Sequence, residues 1–179
     1  HYKLDAPYFV LATQNPIEQE GTYPLPEAQL DRFMFSINLT YPSFEEEVQV
    51  VKLTTANAQS DVAVVFSANE ILEFQALIRK IPVADNVIEY AVKMVGKTRP
   101  DSSEAIPVIK QYVDWGAGPR ASQNLILAAK TYAVIKGKLS PDIEDVQAVA
   151  ISILRHRIIK NYKAEADGIS IESIIESLF

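Results

Sequence analysis

The sequence predicts a mainly α protein in which two short strands precede an all-helical domain. Three observations carry this expectation. Two almost wholly apolar runs, Pro7–Ala12 and Phe33–Leu39, flank a polar stretch containing Pro16, Pro24 and Pro26, as strands buried on both faces of a parallel sheet do. From Ser43 onward the apolar residues recur at the spacing of helices. Finally, 179 residues at 48% hydrophobic and 22% charged suit one sizeable core or two modest ones.

The two runs would lie side by side, but two strands make no stable parallel sheet and no helix between them covers a face. The chain therefore reads as the C-terminal part of something longer, with residues 1–41 closing an α/β core and residues 42–179 forming a helical domain. Tyr41-Pro42-Ser43 leads into the first helix, because Ser43 and Glu46 have capping-box spacing and Glu45, Glu46 and Glu47 suit the positive helix end. This helix is expected to reach about Gln59. A second opens near Ser67 or Ala68, carries Ile71, Leu72, Phe74, Leu77 and Ile78 on one broad face and ends before Pro82. A third, Ala84 to Lys97, has Val87, Ile88, Ala91, Val92 and Val95 at helical spacing. Thr98 to Gly118 reads as a loop rich in Pro, Ser and Gly. Pro119 is placed as the first residue of a helix reaching Lys136, with Gly137 as its stop. Ser140-Pro141-Asp142-Ile143-Glu144 repeats an N-cap and N1-proline signature ahead of Val146, Val149, Ala150, Ile153 and Leu154. A last helix, Ile169 to Leu178, follows Gly168.

Charge and composition exclude several classes of function. A net charge of −6 argues against a general nucleic-acid or membrane-surface binder, since phosphate backbones call for clustered Lys and Arg. With no cysteine and only His1 and His156, neither a disulfide framework nor a zinc centre is expected, and a reducing cytoplasm fits. No run of about 18 apolar residues and no basic-then-apolar leader occurs, so neither membrane insertion nor secretion is expected.

Three places have residues suited to chemistry, each with two readings. Thr13-Gln14-Asn15-Pro16 follows the first apolar run, where ligands of open α/β sheets bind; Asn15 either orients water or a phosphate, or only starts a turn. Arg32, between Asp31 and Phe33, is either a surface ion pair of little energetic worth or a finger that clamps phosphate in a neighbouring subunit. Gly116-Ala117-Gly118-Pro119-Arg120 brings glycines and a fixed positive charge to a helix start, a place that attracts anions. Arg120 opposes the helix dipole there, which invites a functional explanation beside the plain one of a solvated arginine. Tyr112 to Trp115 either stacks on an adenine or packs the loop against the helical core. His156, between two arginines, is read as a structural residue.

These residues resemble a known family. Phe9-Val10-Leu11-Ala12-Thr13-Gln14-Asn15-Pro16, with Glu18 and the run Glu20–Phe33, is similar to the MoxR family of AAA+ ATPases. Gly116-Ala117-Gly118-Pro119-Arg120-Ala121 resembles the family's G-A-S-P-R-A segment, with Gly118 where serine is usual, and Leu154-Arg155-His156-Arg157 resembles its L-x-H-R stretch. The resemblance implies a helical AAA+ lid domain preceded by the last strands of an α/β P-loop NTPase core. It implies that Asn15 is the sensor 1 residue, Arg32 the arginine finger and Arg120 the sensor 2 arginine, with Pro119 and Gly118 beside it at the nucleotide. ATP and Mg2+ are the implied cofactors, a homo-oligomeric ring such as a hexamer the implied assembly, and von Willebrand A-domain or other client proteins the implied partners. Chaperone-like remodelling or maturation of those partners in the cytoplasm is the implied function. No G-x-x-x-x-G-K-S/T phosphate loop and no apolar strand ending in Asp-Glu occurs in the sequence, so both are expected upstream of His1 and the chain alone is expected to be inactive. The alternative is a non-catalytic helical adaptor that binds a protein.

Overall fold

A computed structural model describes residues 2–14, 25–56 and 62–179. In chain order these form helices α1 (Glu27–Leu30), α2 (Phe44–Thr55), α3 (Ala68–Lys80), α4 (Asp85–Lys97) and α5 (Pro107–Tyr112), then strand β1 (Val113–Trp115). Helices α6 (Pro119–Ile135) and α7 (Ile143–Leu154), strand β2 (Ile159–Lys160), and helices α8 (Tyr162–Ala166) and α9 (Ile171–Glu176) follow. The mainly helical architecture expected from the sequence is present.

Side chains at the helix starts explain where most of the helices begin. Ser43 caps α2 through a capping box in which its backbone N–H donates to Glu46 at 2.8 Å, and Ser67 does the same for α3 with Glu70 at 2.7 Å. Each box satisfies two donors that a helix end otherwise leaves open. The start of α7 departs from expectation: Asp142, not Ser140, is the N-cap, and it forms its box with Asp145. Lys138 explains the choice. Its ammonium lies 2.8 Å from Asp142 and 3.0 Å from the buried Asp145 carboxylate, so one cation bridges both acids where the helix begins. These hydrogen bonds hold the Lys138 ammonium well above the usual lysine range. Helix α2 also ends early, at Thr55 rather than near Gln59, with Ala56 in extended conformation. Thr54 and Thr55 turn their hydroxyls back onto the Val50 and Val51 carbonyls, a competing bond that weakens a helix end; Gln59 lies outside the described residues.

The core gathers α4, α6, α7 and α9. Ala121, Ala128, Ala129 and Ala133 give α6 a flank of small side chains, all 3% exposed or less, which lets its neighbours approach closely. Met94, Leu125, Ile153, Leu154, Ile174 and Ile175 fill the space at 1% exposure or less. Each such side chain contributes about 1.5–3 kcal/mol relative to an exposed position. Gly137, at φ 76°, closes α6 in the left-handed conformation that glycine adopts without strain.

Four sequence expectations are corrected. Neither apolar run near the chain start is a strand: Phe9, Leu11, Ile37 and Leu39 are 68%, 92%, 74% and 90% exposed. A strand exists only by pairing, and the described residues offer these runs no partner strand. The segment after Arg32 attaches to a helix instead, the Ser36 amide donating to the Ser152 carbonyl at 2.8 Å. Helix α3 buries no residue, its broad apolar face leaving Phe74 48% and Leu77 54% exposed. The segment read as a loop from Thr98 to Gly118 contains α5 and β1, with Ile109 and Val113 in the core. Strand β1 pairs antiparallel with β2 in the register Val113 with Lys160 and Trp115 with Ile159, interrupted by a bulge. Lastly, the single helix expected from Ile169 to Leu178 is confined to α9, and α8 precedes it unannounced.

What remains of that loop is pinned to the end of α4. Thr98, fully buried, accepts from the Ala117 amide at 2.9 Å, and the Arg99 Nε donates to the Ala117 carbonyl at 3.0 Å. Gly116 is required by this approach, because a Cβ there would sit 2.4 Å from the Thr98 carbonyl oxygen; a Cβ on Gly118 would meet nothing within 4 Å. We predict that Gly116→Ala lowers stability by about 1–3 kcal/mol through overpacking. Gly118→Ser, by supplying the side-chain cap that α6 lacks, should raise it by about 0.3–1 kcal/mol. Chemical denaturation of the two variants checks both signs.

Candidate functional site

Three short segments distant in sequence converge on one carboxylate. Asp31 caps the C-terminal end of α1, Arg120 stands in the first turn of α6, and Arg155-His156-Arg157 occupies the turn that ends α7. The Arg157 side chain is 1% exposed, and its Nε donates to Asp31 Oδ1 at 2.9 Å. Its remaining donors go to main-chain carbonyls: Asp31 at 2.8 Å, Phe33 at 2.5 Å, Met34 at 3.4 Å, and Ile153. The planar guanidinium thus saturates a fork of acceptors that a lysine could not reach. Burial pulls the Arg157 pKa below the ordinary arginine range, and the Asp31 hydrogen bond and charge oppose that pull.

Arg120 takes the other oxygen of Asp31 in a close ion pair, with the two side chains 46% and 30% exposed. One carboxylate therefore serves two guanidiniums, leaving a net positive charge at the start of α6. The ground around Arg120 is open: Gly118, the N-cap, has no side chain, and Pro119 occupies N1, where its missing N–H costs nothing. Open space, an exposed guanidinium and surplus positive charge suit a phosphate-bearing ligand. No group of three or more His, Cys, Asp or Glu able to hold a metal occurs among the described residues.

Arg32 takes no part in this pair. It is exposed, forms no ion pair among the described residues, and borders an open cleft of about 610 Å3 with Val10, Ala28, Gln29, Phe33 and Met34. Arg32 and Arg120 are thus joined through Asp31, which neighbours one in sequence and pairs with the other. Asn15 lies outside the described residues. Of the aromatic stretch, Tyr112 packs on the core and donates to Asp167 at 3.1 Å, whereas Trp115 is 70% exposed.

Sequence reasoning missed Asp31 and Arg157. A basic residue just past a helix end, free to meet the last helical carbonyls, was the available signal for Arg157; nothing local marked the carboxylate 126 positions away as its partner. His156 joins the same clamp. Its Nε2 lies 3.1 Å from the Phe33 carbonyl oxygen, which can only accept, so Nε2 carries the proton and Nδ1 is a buried atom without a partner.

Comparison with known proteins gives consistent results. Residues 1–35 match the model of the ATPase family associated with various cellular activities (AAA), and residues 107–178 match an AAA lid domain. Chaperone MoxR1 of Mycobacterium tuberculosis is 39% identical over 177 residues, covering 97% of this chain and 46% of that protein. The uncharacterized protein YeaC of Bacillus subtilis is 37% identical over 177 residues, 98% of this chain and 52% of that protein. A crystal structure of a Cytophaga hutchinsonii protein, provisionally assigned as an ATPase, superposes with a TM-score of 0.89 at 43% identity over 99% of this chain and 54% of that one. The chain spans about half the length of the relatives it matches.

His156 generates a prediction about pH. Burial, then the Arg157 charge, lowers its pKa from the ordinary 6.5; the Phe33 carbonyl and the Asp31 charge oppose them, and Arg155 adds to the lowering. The unfolded chain therefore binds a proton at a higher pH than the folded one. The contribution of neutral His156 is complete above about 6.5 and is lost as pH falls toward and through the lowered folded value. Stability should decline between pH 7 and pH 5.5, and the decline should be shallower in His156→Gln. Equal slopes for the two proteins would remove His156 as the cause.

Proposed function

The chain belongs to the MoxR family of AAA+ ATPases, and on that premise we propose that its complete protein couples ATP binding and hydrolysis to chaperone-like remodelling or maturation of protein partners. The single observation that carries the proposal is the position of Arg120, partly exposed at the start of α6 and linked through Asp31 to the segment bearing Arg32. In this reading residues 1–41 close the ATPase core and residues 42–179 form the lid. When bound, MgATP supplies the phosphoryl group that is transferred to water, its metal ligands and phosphate loop coming from the remainder of the protein.

Each residue then has a role that phosphoryl transfer needs. Catalysis of this reaction rests on positioning and on neutralising charge that develops on the transferred group. Arg120 holds phosphate oxygens from its own subunit's lid, in the open ground left by Gly118 and Pro119. Arg32, exposed beside its cleft, meets the nucleotide of a neighbouring subunit in a ring, with a hexamer the proposed size. Asn15 orients the attacking water. Client proteins, von Willebrand A-domain proteins among them, and a cytoplasmic location complete the proposal. The alternative of a non-catalytic adaptor draws support from the exposed Phe74 and Leu77 on α3, and it predicts no turnover in the complete protein.

Mixed-subunit kinetics tests the proposal. Full-length Arg32→Ala should lose roughly a thousandfold in ATP turnover, as finger arginines do in other phosphoryl-transfer systems. It should recover turnover at some interfaces when mixed with subunits that keep Arg32 but have a dead phosphate loop. Arg120→Ala should gain nothing from the same partner. Arg32→Ala that is fully active alone, or that stays inactive after subunit exchange is demonstrated, would contradict the trans role. A complete protein without magnesium-dependent turnover would favour the adaptor.

A further inference from the structure

Asp31 has two cationic partners of different character. The bond to Arg157 is buried and is backed by that guanidinium's contacts to the Asp31, Phe33, Met34 and Ile153 carbonyls. The bond to Arg120 is exposed, and Asp31 is the sole ion-pair partner of Arg120 among the described residues. The second pair is the one able to open, because Arg157 is buried at 1% side-chain exposure and held by four carbonyls whereas the Arg120 side chain is 46% exposed.

We infer that Asp31 is a positioning residue that competes with nucleotide phosphate for Arg120, so that ligand binding at the lid releases one of the ties holding the Arg32 segment. This rests on the reading of Arg120 as a phosphate-binding arginine. In the pair seen here Asp31 fixes the otherwise long and flexible Arg120 side chain and masks half of the local positive charge. A phosphate group offers several anionic oxygens and bidentate geometry, which a single shared carboxylate oxygen does not match. Once Arg120 turns to phosphate, Asp31 neutralises Arg157 alone, and residues 31–34 stay fastened to α7 while their link to α6 opens. The next residue, Arg32, is thereby made sensitive to the nucleotide of its own subunit while it serves another's.

The test is a double-mutant cycle in the full-length protein, read as equilibrium affinity for a fluorescent N-methylanthraniloyl ADP. Asp31→Asn removes the competing charge while its amide oxygen still accepts from Arg157 Nε. Arg120→Ala should weaken binding. Asp31→Asn should tighten it about two- to fivefold while Arg120 is present, the range of an exposed ion pair, and should leave affinity unchanged in the Arg120→Ala background. A purely structural role for Asp31 would change affinity alike in both backgrounds, and that result, or no tightening with Arg120 present, overturns the inference. An unchanged affinity for Arg120→Ala alone would instead overturn the reading on which it rests. If Asp31→Asn does not fold, structures of the unsubstituted protein with and without ADP decide the matter. The exchange requires Arg120 on a phosphate oxygen and beyond about 4 Å from Asp31 when ADP is bound, with the Asp31–Arg157 pair intact; Arg120 remaining on Asp31 contradicts it.

Discussion

The buried guanidinium of Arg157 is the contact on which the arrangement of this chain depends. Taking an arginine to 1% side-chain exposure carries a desolvation cost of several kcal/mol, offset only when every donor finds an acceptor and a carboxylate sits close by. Here the acceptors are main-chain carbonyls of residues 31, 33 and 34 on one side and of Ile153 on the other. The charge therefore binds two separate stretches of backbone to one another. Removing Asp31 would leave the cation buried without its counter-charge, at a cost toward the lower end of the 3–5 kcal/mol typical of broken buried pairs, because Asp31 itself is 30% exposed.

The rest of the site follows from that fixture. With residues 31–34 held against the end of α7, Asp31 is presented to Arg120 at the start of α6, and Arg32 is left facing outward beside its cleft. His156 adds a neutral hydrogen bond to the Phe33 carbonyl in the same clamp. A chain of net charge −6 thus concentrates Arg120, Arg155 and Arg157 around the ends of two helices, with Asp31 and Glu172 as their counter-ions. Local geometry, not overall charge, sets what the surface can bind.

Features governed by neighbouring residues were legible in the sequence. Ser43 with Glu46 announced its helix because a capping box spans four residues, and Pro119 and Gly137 bracketed α6 for equally local reasons. Where a distant partner decides the outcome, the sequence was silent or misleading. Val113–Trp115 becomes a strand only because Ile159–Lys160 lies beside it, and the apolar runs at Pro7 and Phe33 read as strands although the described residues supply them no pairing partner. Lys138 bridges Asp142 and Asp145 at the start of α7, where Asp142 rather than Ser140 is the cap. At the site, Arg120 was placed at its helix start correctly, but its ion pair joins residues 89 positions apart, and no local pattern encodes that.

Amide hydrogen exchange in an Arg157→Lys variant measures the central claim most directly. Lysine keeps the charge but not the fork of donors, so the fastening of residues 31–34 should loosen while the helical core persists. The account predicts that the Phe33 and Ser36 amides, bonded to the Leu30 and Ser152 carbonyls, exchange at least about tenfold faster, with protection at Leu125 and Ile153 unchanged. Unaltered exchange at Phe33 and Ser36, or equal acceleration throughout α6 and α7, would contradict it.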